Sequence, residues 1–331
     1  MMSRASTKRT IKATIEAWEL VQPFVISRGA KTHAHVVVCE VFENGLVGRG
    51  EAVPYGRYGE SPEGVVAALE NVPCGDLTRV TLGSRLPAGA ARNALDLALW
   101  DLEAKHSGTR VYDLIGAAAV VAVQTAFTLS LGSPGAMAEQ ARGASNLTLL
   151  KLKLGGGVDD IARMKAVRSA RPDARLVADA NEAWAVEDMG ALCDAAASYN
   201  FEFIEQPLCA GEDEFLSSFD HCIPICADES VHTCHELDQL VGLYDAVNIK
   251  LDKAGGLSEA LEMCKRARKL GFKVMLGSMV STSLGVAPAL VLSQWADWVD
   301  LDGPLLLKND RACGLKITDG WIAPCSRELW G

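Results

Sequence analysis

From about residue 120 the chain alternates between two hydrophobic periods. Short apolar runs with side chains alternating at every second position read VQTAFTLS, LLKLKL, RLVADAN, FEFIEQP, IPICADES, AVNIKL, FKVMLGS and DWVDLDG. Between them lie segments such as DDIARMKAVRSA and SEALEMCKRARKL, whose apolar residues recur near every 3.6 positions. Eight strands with intervening helices predict a closed parallel barrel. The last strand runs into GPLLLKND with no clear helix behind it, so the repeat is of the (β/α)7β form, a modified TIM barrel.

The first 110 or so residues follow another pattern. TIKATIEAWEL reads as a strand, and in HAHVVVCEVFENGLVGRGEA the pair Asn44-Gly45 joins two apolar runs as a hairpin. Ser61 then caps a helix with Pro62 at its first position, and a longer helix in AARNALDLALWDLEAKHSG puts Leu95, Leu99 and Leu102 on one face before Gly108 stops it. A hairpin followed by helices is an α+β pattern, expected to form a separate capping domain over residues 1–118, with the barrel over 119–302. The tail, 303–331, carries a small hairpin around Asp319-Gly320 and is expected to return to the cap, since a strand pair needs something to pack on.

Four of the barrel runs end on charged residues: Asp179, Glu205, Asp228 and Lys250, separated by 26, 23 and 22 positions. That interval is one β/α unit, so three carboxylates come side by side at consecutive strand ends, where barrel active sites lie. Three such oxygen ligands suit a hard cation. The alternative, three helix caps or turn residues, would have to repeat at three successive strands. In LLKLKL, Lys151 and Lys153 are two apart and share a face; repulsion between their ammonium groups is expected to favour a neutral amine and make Lys153 a base. Lys153 on the second strand and Lys250 on the sixth stand opposite each other across an eight-strand ring. A carbonyl compound held between them would have a lysine on each face of its α-carbon, the arrangement for 1,1-proton transfer, racemisation or epimerisation. Asp300 and Asp302 on the eighth strand also share a face. They read as a second metal site, a turn or, preferably, a clamp for a substrate ammonium group. In the cap, the loop PFVISRGAKTHAH offers Arg28 and Lys31, and VPYGRYGES offers Arg57, for a substrate carboxylate or for solvent.

Bulk properties trim the possibilities. The formal charge of −10 over 331 residues is spread out with no basic run, which argues against nucleic acid as a partner. No run approaches the roughly 18 apolar residues of a membrane span, and MMSRASTKRT holds no apolar segment for a signal peptide. Ten unevenly spaced cysteines read as reduced thiols, so a cytoplasmic protein is expected. Cys222, Cys226, His232, Cys234 and His235 could be read as a zinc site; their irregular spacing, and Cys226 within the apolar run IPICA, favour ordinary thiols and loop histidines.

At these residues the chain resembles the enolase superfamily, in its muconate-lactonising-enzyme subgroup, through KLK at 151–153, DAN at 179–181, EQP at 205–207, ADES at 227–230 and NIKLDKAGG at 248–256. Within that subgroup it is most similar to the dipeptide epimerases acting on L-Ala-D/L-Glu, through DLDGP at 300–304, PFVISRG at 23–29 and the GEAVPYGRYGES stretch. The likeness spans almost the whole chain. It implies Mg2+, one per site, on Asp179, Glu205 and Asp228; an acid/base pair of Lys153 and Lys250, with Lys151 supporting Lys153; and Asp300 and Asp302 on the dipeptide's ammonium group. It further implies Arg28 near the glutamate carboxylate, Thr128 against the dipeptide, and a role in recycling cell-wall peptides. Ala52 departs from the family pattern and is expected to alter loop packing only. A homo-oligomer is compatible with the sequence. The same frame also serves N-succinylamino acid racemisation and o-succinylbenzoate synthesis, whose substrates lack a free ammonium group. Epimerisation of another dipeptide, a metal-free Schiff-base aldolase and a non-catalytic metal-binding barrel complete the alternatives.

Overall fold

The computed structural model describes residues 9–331; the polar lead MMSRASTK lies outside them. Strands β1 (Thr10–Ile26), β2 (Gly29–Glu43) and β3 (Leu46–Ala52) form an antiparallel sheet. Asn44 and Gly45 turn β2 into β3 with φ of 52° and 78°, the left-handed pair that a two-residue hairpin requires. Ser61 Oγ accepts from the Gly64 amide to cap the helix Pro62–Glu70. The helix Ala90–Ser107 lies against β3, closely enough that a Cβ built on Gly48 or Gly50 would fall 2.1 Å from the Ala98 oxygen or 2.2 Å from the Ala94 oxygen. Leu95, Leu99 and Leu102 from that helix, with Val37, Val41 and Ala52 from the sheet, close one apolar cluster.

The stretch expected as an early loop is a hairpin. After an irregularity between Glu19 and Phe24, β1 continues to Ile26, and Phe24 pairs with Lys31 across the turn. Pro23 interrupts the ladder and the run SRGAKTH has little buried face, so no hydrophobic alternation marked these residues as strand.

A short β4 (Val123–Gln124) precedes eight parallel strands: β5 (Phe127–Leu129), β6 (Leu149–Lys153), β7 (Arg175–Asp179), β8 (Phe201–Glu205), β9 (Ile225–Ala227), β10 (Ala246–Lys250), β11 (Lys273–Gly277) and β12 (Trp298–Asp300). The ends of this sheet meet where the Ala126 amide donates to the Val299 oxygen and the Leu301 amide to Thr125 Oγ1, both at 2.8 Å. The tail hairpin, β13 (Ile317–Thr318) and β14 (Trp321–Ile322), pairs with β4, while residues around it reach the cap: Leu307 bridges to Leu20, Arg311 pairs with Glu16 and Glu51, and the Gly331 amide donates to Asp101.

Strand alternation stacks the barrel interior in layers. Ala126, Leu149, Val177, Phe203, Cys226, Ala246, Met275 and Trp298 form one buried apolar floor. Two residues further along each strand stand Thr128, Lys151, Asp179, Glu205, Asp228, Asn248, Gly277 and Asp300, all polar except the glycine. Gly277 is fixed by crowding, since a Cβ there would lie 2.5 Å from Asn248 Oδ1. The floor is apolar and buried, and the second layer carries the charge. No helix of the described residues is long and apolar enough to cross a membrane.

Candidate active site

Asp179, Glu205 and Asp228 are buried, and each offers an oxygen within 4.8 Å of the others. The parallel register that aligns Lys153 with Asp179 and Asp179 with Glu205 produces this directly. Lys151 Nζ lies 2.6 Å from Glu205 Oε2, 2.7 Å from Asp300 Oδ2 and 3.1 Å from Asp179 Oδ2. Lys153 Nζ is 2.6 Å from Asp179 Oδ2, and Lys250 Nζ is 2.7 Å from Asp228 Oδ2. Lys253, also buried, holds Asp228 Oδ1 at 2.5 Å and donates to the backbone oxygens of Asp228 and Asn248. Four lysines thus balance Asp179, Glu205, Asp228 and Asp300, which is what allows so much charge to be buried.

The environments differ in kind. Burial would lower Lys151, but Asp300, Glu205 and Asp179 overcome it and hold its ammonium well above the usual lysine value. Burial likewise opposes the charge of Lys250, and Asp228 with Glu205 more than offsets it. Burial, then the charge of Asp179, pushes Glu205 up to about 7. Asp228, which burial alone would raise, is held well below the carboxylate range by Lys250 and Lys253.

The donor set fits a hard cation. All three groups are carboxylates, and Asn248 Nδ2 donates to Glu205 Oε1 at 2.7 Å, fixing that side chain. Glu205 Oε2 is buried with no hydrogen-bond partner, although the Lys151 ammonium stands beside it. A buried carboxylate oxygen with no directed hydrogen bond keeps a lone pair available to a cation.

Above this layer a cavity of about 220 Å³ opens between barrel and cap. Lys153, Lys250, Asp228, Asn181 and Glu229 line it from the barrel, and Phe24, Ile26, Arg28, Lys31, Tyr55 and Tyr58 from the cap. The two lysines expected to face each other therefore share one chamber. Asp179, Glu205 and Lys151 lie beneath it, outside its lining.

Arg28 is engaged at every donor: Nη1 to the Asn181 oxygen and Glu182, Nη2 to Glu229 at 2.7 Å and to Tyr55, and Nε to Tyr55. Arg57 forks onto Glu182 at 2.9 and 3.0 Å. Both arginines clamp cap to barrel. The Lys31 ammonium instead has no hydrogen-bond or ion-pair partner among the described residues. It stands 5.7 Å over the Phe24 ring, and burial, then Lys153 and Lys250, lowers it to about 8. Asp300 and Asp302 sit at the barrel seam. The Thr128 amide donates to Asp302 Oδ2 at 2.7 Å, Asp300 Oδ2 faces Lys151, and Asp300 Oδ1 is buried without a partner. Burial, then Asp300, raises Asp302 to about 7. Thr128, Asp300 and Asp302 are absent from the cavity lining.

Sequence reading passed over Lys253, Asn248, Glu229 and Asn181, although each lies inside a motif already singled out. A lysine within a strand–helix junction and an asparagine two before Lys250 were the available signals. The cysteine and histidine group does not converge: Cys226 belongs to the barrel floor, Cys222 is exposed, and His232 packs edge-on against Tyr58.

Comparison with known proteins gives the family. The family described as mandelate racemase / muconate lactonizing enzyme, N-terminal domain, matches residues 8–116, and the enolase C-terminal domain-like family matches 136–324. An L-Ala-D/L-Glu epimerase of Escherichia coli (strain K12) is 47% identical over 317 residues, 94% of this chain and 98% of its own length. An N-acetyl-D-glutamate racemase of Pseudoalteromonas sp is 43% identical, over 89% of this chain and 95% of that one. A crystal structure of an enolase family member from Agrobacterium tumefaciens with homology to dipeptide epimerases, holding sodium and L-Ala-L-Glu, superposes with a TM-score of 0.96 at 46% identity, covering 98% of this chain and 100% of that one. The capped barrel and its matched halves make the chain a member of the enolase superfamily, in the mandelate racemase/muconate lactonizing branch, and an isomerase of the racemase and epimerase kind.

Proposed function

We propose that the protein epimerises dipeptides of the L-Ala-D/L-Glu type by 1,1-proton transfer at the α-carbon of the C-terminal residue, with one Mg2+ on Asp179, Glu205 and Asp228. The observation that carries this reading is the placing of Lys153 and Lys250 on the second and sixth barrel strands, both lining one cavity above the carboxylate trio. When bound, the cation supplies positive charge close to the substrate carboxylate, where negative charge builds as the α-proton leaves. With Asp228 neutralised by a bound cation, the charge that holds Lys250 as an ammonium would be offset, so Lys153 or Lys250, according to the epimer presented, takes that proton as a neutral amine, and the other lysine returns one from the opposite face. Lys151 holds Asp179 and Glu205 in place and supports Lys153 from below.

Two features support an acidic second residue and a free amine. Lys31 brings an unpaired cation to the cavity wall, which suits a side-chain carboxylate, while Arg28 keeps the hairpin that carries it clamped down. Asp300 Oδ1, buried and without a partner, and the neighbouring Asp302 suit the ammonium group, with Thr128 ordering Asp302. The expected setting is cytoplasmic recycling of cell-wall peptides.

A second reading is racemisation of N-acylated glutamate. It is favoured by Asp300 and Asp302 each giving an oxygen to the protein itself and lying outside the cavity lining. One experiment separates the two. Incubation with Mg2+ in D2O should place deuterium at the second residue's α-carbon of L-Ala-L-Glu, with L-Ala-D-Glu appearing. Exchange into N-acetyl- or N-succinylglutamate, with none into any dipeptide, would overturn the first reading in favour of the second.

A further inference from the structure

Gln206 touches the end of every strand that carries a metal-site carboxylate, yet it faces neither cation nor cavity. It follows Glu205 directly and is fully buried. Its backbone oxygen accepts from the Glu182 amide in the turn after Asp179, at 2.9 Å, and its own amide donates to Cys226 at 2.8 Å. Its Oε1 accepts from the amides of Asp228 at 2.8 Å and Ser230 at 3.1 Å. Its Nε2 donates to the Leu208 oxygen, Ser230 Oγ and the Tyr244 hydroxyl, and Tyr244 in turn donates to Asp213 at 2.8 Å. These bonds hold its backbone at φ 35°, a left-handed conformation costly for a side chain of this size. A fully satisfied buried network of this kind is rigid.

We propose that Gln206 is the positioning residue that sets the affinity of the carboxylate trio for its cation, by fixing the turn that presents Asp228 relative to Asp179 and Glu205. The inference rests on the cation assignment above. Being neutral, the amide adds no charge to the site, so its influence on affinity is geometric. Lys151 and Lys253 differ in this respect, since removing either changes the local field as well as the shape. Partners behind metal ligands typically govern affinity by a factor of about 10 to 100.

Calorimetric titration of substrate-free protein with Mg2+ tests this. Gln206→Met should bind Mg2+ roughly 10- to 100-fold more weakly than wild type. Its maximal α-proton exchange rate should return to within about threefold of wild type once Mg2+ saturates, as expected when only ligand placement has changed. Unchanged affinity with a lowered melting temperature would make Gln206 merely structural. A rate that saturating Mg2+ does not restore would also overturn the proposal. If Gln206→Met does not fold, Tyr244→Phe, which removes one acceptor from the amide, should weaken binding by about two- to fivefold, and unchanged affinity there overturns it. Wild-type protein that binds no divalent cation would sink the cation assignment itself, a result distinguishable from equal binding by wild type and variant.

Discussion

Lys151 Nζ and Asp300 Oδ2 lie 2.7 Å apart and join the second barrel strand to the eighth. The same ammonium touches Glu205 and Asp179, so one side chain links four strands and neutralises a layer that the apolar floor seals from below.

Removing that charge should be costly. Lys151→Met leaves three carboxylates facing one another in a buried layer, and loss of one partner from a buried ionic network costs about 3–5 kcal/mol. Urea unfolding without divalent cation should show a loss of that order, and added Mg2+ should recover part of it. A loss below about 1 kcal/mol, the range of exposed pairs, would mean that Lys151 is not the central counter-ion.

The two lysines lining the cavity should fail differently. Lys153→Ala and Lys250→Ala should each abolish epimerisation, with turnover reduced by roughly 100-fold or more. Each should retain α-proton exchange with only one epimer, because the surviving base still reaches one face. NMR in D2O, run separately from L-Ala-L-Glu and L-Ala-D-Glu, reads this directly. Equal residual exchange from both epimers in either variant would contradict the opposed-base arrangement.

Lys31 should select the acid at the second residue. In Lys31→Met, kcat/KM for L-Ala-L-Glu should drop by about 10- to 100-fold, mostly through KM, while L-Ala-L-Gln changes little. The ratio between those two substrates is the measurement. An equal drop for both would make Lys31 part of the general framework of the cavity.

Asp252 predicts a pH dependence away from the reacting groups. Its Oδ1 accepts from the Val53 amide and from Asn93 at the cap–barrel junction, and burial raises it to about 7. An acid whose folded value lies above its unfolded one binds its proton more tightly when folded, so the protonated form aids folding below about pH 4 to 7 and that aid is lost as pH rises through 7. Stability should therefore decline between pH 5 and 8, by about 2–4 kcal/mol at most from this group, and Asp252→Asn should flatten the decline. Denaturant midpoints at both pH values check it; a wild-type stability that rises over this range, with the variant unchanged, would contradict it.

Much of the site was readable because a strand repeats every two residues and a β/α unit repeats every twenty-odd. Spacing alone brought Asp179, Glu205 and Asp228 together, and strand counting put Lys153 and Lys250 in one chamber. The helices Asp159–Ala170 and Leu257–Leu270 fall where their periodicity predicts. The hairpin through Phe24 and Lys31 was not readable, since its strands are held by backbone hydrogen bonds and bury little, leaving no hydrophobic signal. Nor did sequence distinguish Arg28 from Lys31. Both are cations nearby in the chain, and only the barrel carboxylates Glu182 and Glu229, more than 150 positions away, occupy the first and leave the second free.

The sequence by itself determined the barrel and the order of charges around its mouth, because each follows from a local period that side chains must obey. Tertiary structure alone decided which charges are spent on one another. The pairing of Lys151 with Asp300, the capture of both cap arginines by barrel loops and the reach of Gln206 across three strand ends all depend on distances between remote segments. Those distances also set burial and neighbouring charge, which together decide whether a carboxylate or an ammonium holds its proton.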